Sequence, residues 1–193
     1  NPNARSTFRF GMSNQSFAYG SVRYVGAEIR AVILSKMQID VQKNICVISG
    51  ESIAVEAANL AAEGTVIAVE YNKHDRKTLE DNVSQFGLNN VSIVDHVDEE
   101  TFQNLPVPDV TMLVASASME QEMAYLLKLN PNMEFVIYTL DFGVAASMSE
   151  LCKKMGIIDV EIIQIAVSHL NQKHNFETQP APWIISGKAN GEG

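Results

Sequence analysis

The apolar residues of the chain form two kinds of pattern that alternate along its length. Short continuous apolar runs, bounded by glycine, proline or polar residues, predict buried strands. These runs lie at Ile45–Ile48, Thr65–Val69, Asn90–Val94, Val110–Val114, Glu134–Thr139, Val160–Val167 and Trp183–Gly187. Apolar positions at helical spacing predict amphipathic helices at Val25–Met37, Ser52–Ala62, Tyr71–Phe86, Met119–Leu129 and Val144–Met155. Asp98–Leu105 is expected to be a turn or a short helix, and Gly87 and Gly156 are expected to stop the helices that precede them.

This alternation of strands and helices predicts an α/β fold with a doubly wound, Rossmann-like, seven-stranded sheet that is mostly parallel. The last two strands are expected to close the sheet as an antiparallel hairpin, joined by a polar excursion at His169–Pro182. Residues 1–19 lack a regular period and predict an N-terminal arm or linker that packs its aromatic side chains on the domain. Residues 20–188 are expected to form that domain, and residues 189–193 a flexible, glycine-rich tail.

Composition narrows the possible functions. The chain has 193 residues, 46% of them hydrophobic, which suits a single domain with a sizeable core. Its formal net charge is −9, and its lysines and arginines are scattered, so a nucleic-acid-binding face is not expected. Cys46 and Cys152 fit no metal-ligand or redox spacing and predict reduced, packed thiols. No membrane span or signal peptide is visible, so we expect a cytoplasmic protein with no membrane partner.

The most informative stretch is the central strand–helix–strand unit, Asn44–Glu70. The turn Ser49-Gly50-Glu51 lies where the first strand passes into its helix, a place where ligands meet backbone N–H groups. Glu51 puts a negative charge there, which would repel an anion, and it could instead cap the helix. Glu70 ends the second strand, where a carboxylate can accept hydrogen bonds from a ribose diol. A solvated strand end is the alternative interpretation of Glu70.

The remaining polar residues show no recognisable catalytic arrangement. The histidines, at positions 74, 96, 169 and 174, have no metal-binding interval and fit surface or capping roles. The contiguous run Asp95–Glu100 could hold a metal, although a solvated loop explains it better. We therefore assign neither catalytic residues nor a metal site.

Sequence pieces in a fixed order carry a family resemblance. They are Glu28-Ile29-Arg30, Leu34–Met37, Ser52–Ala58, Asn82, Phe86-Gly87 with Asn90-Val91, Leu105–Asp109, Thr139-Leu140-Asp141 and Gln179–Gly187. Together they cover roughly residues 11 to 188. In this order the pieces resemble class I S-adenosylmethionine-dependent methyltransferases. More narrowly, they resemble the decarboxylating precorrin methyltransferases of cobalamin synthesis, including the C-terminal half of the fused precorrin-6Y enzyme.

The resemblance implies an activity and a set of site residues. Such enzymes methylate carbon 15 of the corrin precursor and release carbon dioxide from an acetate side chain. Cofactor-binding positions implied by the family pattern are Ser49, Gly50, Glu51, Glu70, Tyr71, Val97, Asp98, Ala115 and Ser116. Substrate-binding positions implied by the family pattern are Arg30, Thr139 and Asp141. Basic groups suit a polycarboxylate substrate, which favours Arg30 and, as a weaker candidate, Arg23; a surface salt bridge is the alternative for Arg30. The family also implies a homo-oligomer and a fused or separate tetrapyrrole methylase partner.

The cofactor motif departs from the family pattern. Where the family has Asp-Ile-Gly-x-Gly-x-Gly-Ser, alignment from the first strand puts Val47 at the acid and Ser49 at the first glycine. The family's later glycine-rich loop is Ala115–Ser118 here, and its Gly-Asp appears as His96-Val97 with Asp98 one place late. These losses predict weakened or altered binding of S-adenosylmethionine. Two main hypotheses follow: a divergent precorrin methyltransferase, or a methyltransferase-fold domain that no longer catalyses and serves as a scaffold or partner half. A methyltransferase with another substrate is the remaining alternative.

Overall fold

The fold was determined from a computed structural model, which describes residues 8–18 and 25–192. The α-helices are α1 (Ala27–Lys36), α2 (Ser52–Leu60), α3 (Lys73–Gln85), α4 (Glu99–Phe102), α5 (Met119–Leu129) and α6 (Phe142–Lys154). The strands are β1 (Asn44–Ile48), β2 (Thr65–Val69), β3 (Val91–Val94), β4 (Val110–Val114), β5 (Glu134–Thr139), β6 (Ile157–Gln164), β7 (Ser168–Leu170), β8 (Phe176–Thr178) and β9 (Trp183–Ala189). One 3₁₀ turn, Asn14–Ser16, precedes them.

The main sheet has seven strands in the order β3-β2-β1-β4-β5-β9-β6. The first five of these are parallel, while β9 runs antiparallel to both β5 and β6. The predicted doubly wound sheet with a C-terminal antiparallel pair is therefore confirmed. Because β1 lies between β2 and β4, the carboxyl ends of these three strands meet at one edge of the sheet.

Both faces of the sheet are covered, which explains the continuous apolar runs of its central strands. One core packs α1, α2 and α3 on one face, with residues such as Ile33, Ile53 and Leu79. The other packs α5 and α6 on the opposite face, with residues such as Met123 and Met148. Side chains alternate between these cores along β1, and four of its five residues are buried.

The bounds of several helices and strands agree with the sequence prediction. The strands β2, β4 and β5 and the helix α5 have the predicted bounds, and the short-helix prediction for Asp98–Leu105 is confirmed by α4. Gly87 and Gly156 follow α3 and α6 with φ of 62° and 73°, so both glycines end their helices in the left-handed region as predicted.

The C-terminal region differs from the prediction in three places. The strand predicted at Val160–Val167 begins at Ile157 instead, because Asp159 (φ 55°) sits at a register shift within it and interrupts the apolar run. The polar excursion predicted at His169–Pro182 contains strands of a separate two-stranded sheet, β7 with β8. All six of their residues are exposed, so no apolar run signals them. The last strand extends to Ala189, which is buried.

In the described part of the N-terminal arm, Phe17 packs on the domain as predicted, whereas Phe10 is 55% exposed. Phe17 is buried, with its ring centroid 5.8 Å from that of Phe86. Residues 1–7 and 19 of the predicted arm, and the candidate Arg23, lie outside the described residues. In the described part of the chain, no helix combines the length and apolar character that a membrane crossing requires.

Candidate functional site

Backbone hydrogen bonds bring most of the sequence-predicted site residues to one edge of the sheet. The N–H of Ser49 donates to the carbonyl of Val69 (2.9 Å), immediately before Glu70. The N–H of Ala115 donates to the carbonyl of Tyr138 (2.8 Å), next to Thr139. The segments that follow β1 and β2 therefore lie side by side, and so do those that follow β4 and β5.

The turn after β1 keeps a glycine-like backbone although most of its residues are not glycine. Ser49 has φ of 58°, and Glu51 has φ of 46° with ψ of −114°. Both values lie in the region that L-residues rarely adopt. Position 50 requires glycine for a different reason, because a Cβ there would lie only 2.4 Å from Cγ1 of Val47. The lost glycines predicted weakened or altered cofactor binding, but the backbone still has a conformation that glycines would adopt without strain.

Glu51 occupies the position before α2, but its side chain does not hydrogen-bond to the helix N–H groups. The capping interpretation of this residue is therefore wrong. Instead, its backbone N–H points at Glu70 and donates to Oε1 of that carboxyl group over 3.1 Å. The turn and the end of β2 are thus joined through the residues that the sequence singled out.

Glu70 is buried, with 3% of its surface exposed, so the solvated strand end is also excluded. Burial raises the pKa of this carboxyl group to about 7; the hydrogen bond from Glu51 opposes the change, and the negative charges of Glu51 and Asp75 reinforce it. Arg76 does not compensate the carboxylate directly, because its Nη1 donates to the backbone carbonyls of Glu70 (2.9 Å) and Tyr71 (3.0 Å). Glu70 is therefore a buried acid that is partly protonated near neutral pH.

Tyr71 joins the site to a residue that the sequence analysis missed. Its hydroxyl donates to Oε2 of Glu122, which lies in the first turn of α5 and is 4% exposed. Oε1 of Glu122 is buried without a hydrogen-bond partner among the described residues. A signal for Glu122 does exist in the sequence: it shares the buried face of α5 with Met119, Met123 and Leu126, where an acid is out of place.

The other predicted cofactor residues lie on loops around this edge. Asp98 is exposed and uses its carboxylate to accept the N–H of Thr101 (2.8 Å), which caps α4, while Val97 is half-buried against the second core. Ala115 is half-buried, and Ser116 is exposed, with its hydroxyl 3.1 Å from that of Ser118.

Among the predicted substrate residues, Thr139 and Asp141 lie at the end of β5. Oγ1 of Thr139 accepts the N–H of Asp141 (3.0 Å), and Oδ1 of Asp141 caps α6 by accepting the N–H of Val144 (3.0 Å). Two apolar side chains, Leu140 and Phe142, stand exposed beside them, by 40% and 71% respectively. This rim of the site is therefore apolar and solvent-facing.

Arg30 is inside the domain, which rules out the surface salt bridge considered from the sequence. Only 1% of its surface is exposed, and its Nε donates to Oε1 of the fully buried Glu56 over 2.6 Å. Its remaining contacts tie the N-terminal arm and the start of α2 to this pair: Asn14, Ser52, the carbonyl of Met12 and the ring of Phe17. A contact between Arg30 and the substrate stays a prediction, and it would require the arm to move away.

The four histidines are exposed, as predicted, and so are all residues of the run Asp95–Glu100 apart from the half-buried Val97. His96 lies 2.9 Å from Asp95 and carries a raised pKa through that contact. None of the four histidines is among the predicted cofactor- or substrate-binding residues.

Comparisons with known proteins agree with this geometry. The family described as the precorrin methyltransferase domain matches residues 23–182. No curated protein sequence matches the chain significantly. Among solved structures, a precorrin-6Y C5,15-methyltransferase from Geobacter metallireducens superposes with a TM-score of 0.84 at 23% identity, over 94% of this chain and 98% of that chain.

Two further structures show the same fold at lower identity. The C-terminal domain of the Rhodobacter capsulatus precorrin-6Y C5,15-methyltransferase gives a TM-score of 0.74 at 18% identity, covering 92% of this chain and 97% of that one. The precorrin-8W decarboxylase of Methanobacterium thermoautotrophicum gives 0.69 at 18% identity, covering 91% and 95%. At these identities the structures establish the shared methyltransferase fold.

Proposed function

Because the chain belongs to the precorrin methyltransferase domain family, we propose that it transfers a methyl group from S-adenosylmethionine to carbon 15 of a corrin precursor. In the same reaction the precursor loses an acetate carboxyl group as carbon dioxide. The observation that carries this proposal is the turn after β1, which keeps its glycine-like backbone beside the buried carboxylate of Glu70. Backbone strain at Ser49 and Glu51 lowers the stability of the fold, and such strain is typical of functional sites. In a domain that does not bind the cofactor, nothing would offset this cost.

The residues at the turn fit S-adenosylmethionine. Glu70 is acceptor-only when ionised, and one of its oxygens already accepts a backbone N–H, which orients the carboxylate at the strand end. Such a carboxylate suits a ribose diol. The cofactor supplies the methyl group as an electrophile on a positively charged sulfonium. The acidic residues of this edge favour a cation, so Glu51, which would repel a phosphate, is compatible with this ligand.

The rim formed by Leu140 and Phe142 supports a large, flat, partly apolar substrate. The rings of Phe142 and Trp183 meet edge-on, with 5.8 Å between their centroids, and Phe142 stays largely exposed. A tetrapyrrole macrocycle can cover such a surface and bury it from water. Thr139 and Asp141 lie beside this rim and remain the proposed polar contacts to the substrate.

For the chemical step, the chain's contribution is binding, orientation and exclusion of water. Methyl transfer forms a carbon–carbon bond at carbon 15 and breaks the carbon–sulfur bond, whose electron pair stays on sulfur. Decarboxylation breaks the bond between the acetate carboxyl group and its methylene, and a proton replaces the carboxyl group. We assign no residue to the proton transfer.

Calorimetric titration with S-adenosylhomocysteine, followed by a turnover assay, tests the proposal. The expected result is saturable binding to the wild type and a product that has gained one methyl group and lost one carbon dioxide, measured by mass spectrometry. Glu70→Gln keeps the shape of the side chain but removes its charge, and it should weaken ligand binding by about tenfold. The exposed Glu63→Gln, at the other end of β2, is the matched control.

If saturating S-adenosylhomocysteine neither binds nor raises the unfolding temperature, the proposal is overturned, because a ligand of the native state must stabilise it. That result would favour the alternative hypothesis of a methyltransferase-fold domain acting as a scaffold or partner half. Binding with unchanged affinity in Glu70→Gln would leave the function standing but remove Glu70 from the site.

A further inference from the structure

The guanidinium of Arg30 holds two successive turns of α2. Its Nε donates to Oε1 of Glu56 over 2.6 Å, and its Nη1 donates to the hydroxyl of Ser52 over 3.3 Å. Ser52 and Glu56 are four residues apart, so they lie on the same face of the helix. Ser52 is also the first residue of α2 and directly follows the turn at 49–51. Arg30 therefore binds the helix at the end that continues the candidate cofactor turn.

The same ion pair also holds the N-terminal arm. The guanidinium donates to the carbonyl of Met12 and, over 2.9 Å, to Oδ1 of Asn14. Its Cζ lies 4.9 Å from the centroid of the Phe17 ring, and the N–H of Gly11 donates to Oε2 of Glu56 over 3.3 Å. One buried ion pair thus connects the arm to the first turn of α2.

The first turn of α2 is hydrogen-bonded directly to the strained residues. Ser49 and Glu51 have φ of 58° and 46°, and such conformations persist only where the surrounding structure fixes them. The N–H of Ile53 donates to the carbonyl of Gly50 over 2.9 Å. The N–H of Ala54 donates to the carbonyl of Glu51 over 3.0 Å. A shift at the start of α2 would therefore be passed to the turn.

Stability alone does not account for a buried ion pair at this place. Arg30 is 1% exposed and Glu56 is fully buried, so both charges have lost their hydration. The attraction between two buried charges repays that cost only in part, and apolar side chains of similar volume are often equally stabilising. A pair that adds little net stability, but connects the arm, α1 and α2, suits a role in fixing their geometry.

We infer that Arg30 is a positioning residue for the cofactor, which holds the first turn of α2, and with it the turn at 49–51, against the N-terminal arm. This inference rests on the proposed function, since that assigns the turn to S-adenosylmethionine. Arg30 acts through Ser52 and Glu56 and does not touch the cofactor. Coupling between two sites is reciprocal, so an arm that strengthens cofactor binding is itself held more tightly when the cofactor is bound.

The test measures the affinity for S-adenosylhomocysteine by calorimetry on the full chain. Asn14→Ala and Ser52→Ala each remove one hydrogen bond to the guanidinium, and each should weaken binding by about two- to tenfold. Arg30→Met combined with Glu56→Leu replaces both charges by apolar side chains. It should weaken binding at least as much while it keeps most of the wild-type stability.

Ser13→Ala is the matched control. Ser13 lies in the same arm beside Asn14, but it is exposed and its hydroxyl lies 3.3 Å from that of Ser16. Its substitution should leave the affinity unchanged. Adding Asn14→Ala to the Arg30→Met, Glu56→Leu variant should have no further effect, because Asn14 acts on the turn only through Arg30.

Hydrogen exchange of the arm gives a readout that a purely structural pair would not change. In the wild type, saturating S-adenosylhomocysteine should slow exchange at the N–H groups of Gly11 and Phe17, which donate to Glu56 and to the carbonyl of Asn14. The expected factor is about two- to tenfold, equal to the loss of affinity when the arm is released. The effect should disappear in the Arg30→Met, Glu56→Leu variant.

Unchanged affinity in all of these variants, with or without a loss of stability, would overturn the inference while the proposed function stands. Unchanged affinity together with a raised KM for the corrin precursor would assign Arg30 to the substrate instead. Failure of S-adenosylhomocysteine to bind the wild type would overturn both the inference and the proposed function. If the other variants do not fold, Asn14→Ala decides, because Asn14 is exposed and its substitution leaves the ion pair in place.

Discussion

Replacing Glu70 by glutamine should stabilise the folded protein at neutral and alkaline pH. Burial raises the pKa of this carboxyl group from 4.5 to about 7. At about 1.4 kcal/mol per pH unit, that difference corresponds to about 3 kcal/mol of stability lost when the buried group ionises. The side-chain amide that replaces the carboxyl group would still accept the N–H of Glu51, but it has no charge to bury.

The sign of the pH dependence follows from the raised pKa. Below about pH 4.5 the carboxyl group is protonated in both the folded and the unfolded state, and its stabilising contribution is fully present. Between about pH 4.5 and 7 the folded state holds a proton that the unfolded state has released, so the free energy of unfolding falls as pH rises. Above about pH 7 both states are ionised and the loss is complete. The wild type and Glu70→Gln should therefore be similar near pH 4.5 and differ most near pH 8.

Urea unfolding at pH 5 and pH 8, followed by the fluorescence of Trp183, measures this difference. At pH 8 the variant should be more stable by up to about 3 kcal/mol, which corresponds to roughly 6–12 °C in unfolding temperature for a chain of this size. Glu63→Gln, which removes an exposed acid, should change the free energy by less than about 0.5 kcal/mol at either pH. If Glu70→Gln and the wild type keep the same difference at both pH values, the assignment of a raised pKa to buried Glu70 is refuted.

Two further predictions concern the buried ion pair and the strained turn. Arg30→Met leaves the Glu56 carboxylate buried without its cationic partner and should lower the free energy of unfolding, measured in urea, by about 3–5 kcal/mol. Combining Arg30→Met with Glu56→Leu should recover much of that loss, and a double variant as unstable as the sum of the single changes would contradict the pairing. Glu51→Gly relieves the backbone strain of the positive φ at this position and should raise the free energy of unfolding by about 1 kcal/mol. Glu51→Ala removes the charge but keeps Cβ, so it should not raise the free energy of unfolding. Equal effects of the two substitutions would show that the charge, and not backbone strain, is the cause.

The strands of the central sheet could be predicted from the sequence because both faces of the sheet are buried. β1 and β2 are covered by helices on each side, so their residues must be apolar without interruption, and the runs are visible by inspection. β6 is an edge strand with mostly exposed residues, and Asp159 interrupts the short apolar run at its start. This is why its start was predicted at Val160 and not at Ile157, whereas the starts of the inner strands were predicted to within one residue.

The site was less predictable, since it depends on contacts between distant residues. Glu70 could be located because a strand end is a local feature of the sequence. The backbone of Ser49 and Glu51 could not, because neither residue type favours a positive φ. The contact of Glu122 with Tyr71 joins residues 51 positions apart, and only the assembled sheet brings them together.

The contacts of Arg30 bear on how this domain can be recombined with others. The carbonyl of Met12 and the side chain of Asn14 bind the guanidinium, and the N–H of Gly11 donates to Glu56 over 3.3 Å. A gene fusion or domain exchange that begins the domain after these residues would remove those hydrogen bonds and leave the Arg30–Glu56 pair in the interior without them. The transferable unit therefore begins at or before residue 11, and a domain fused on the N-terminal side must be attached upstream of that point.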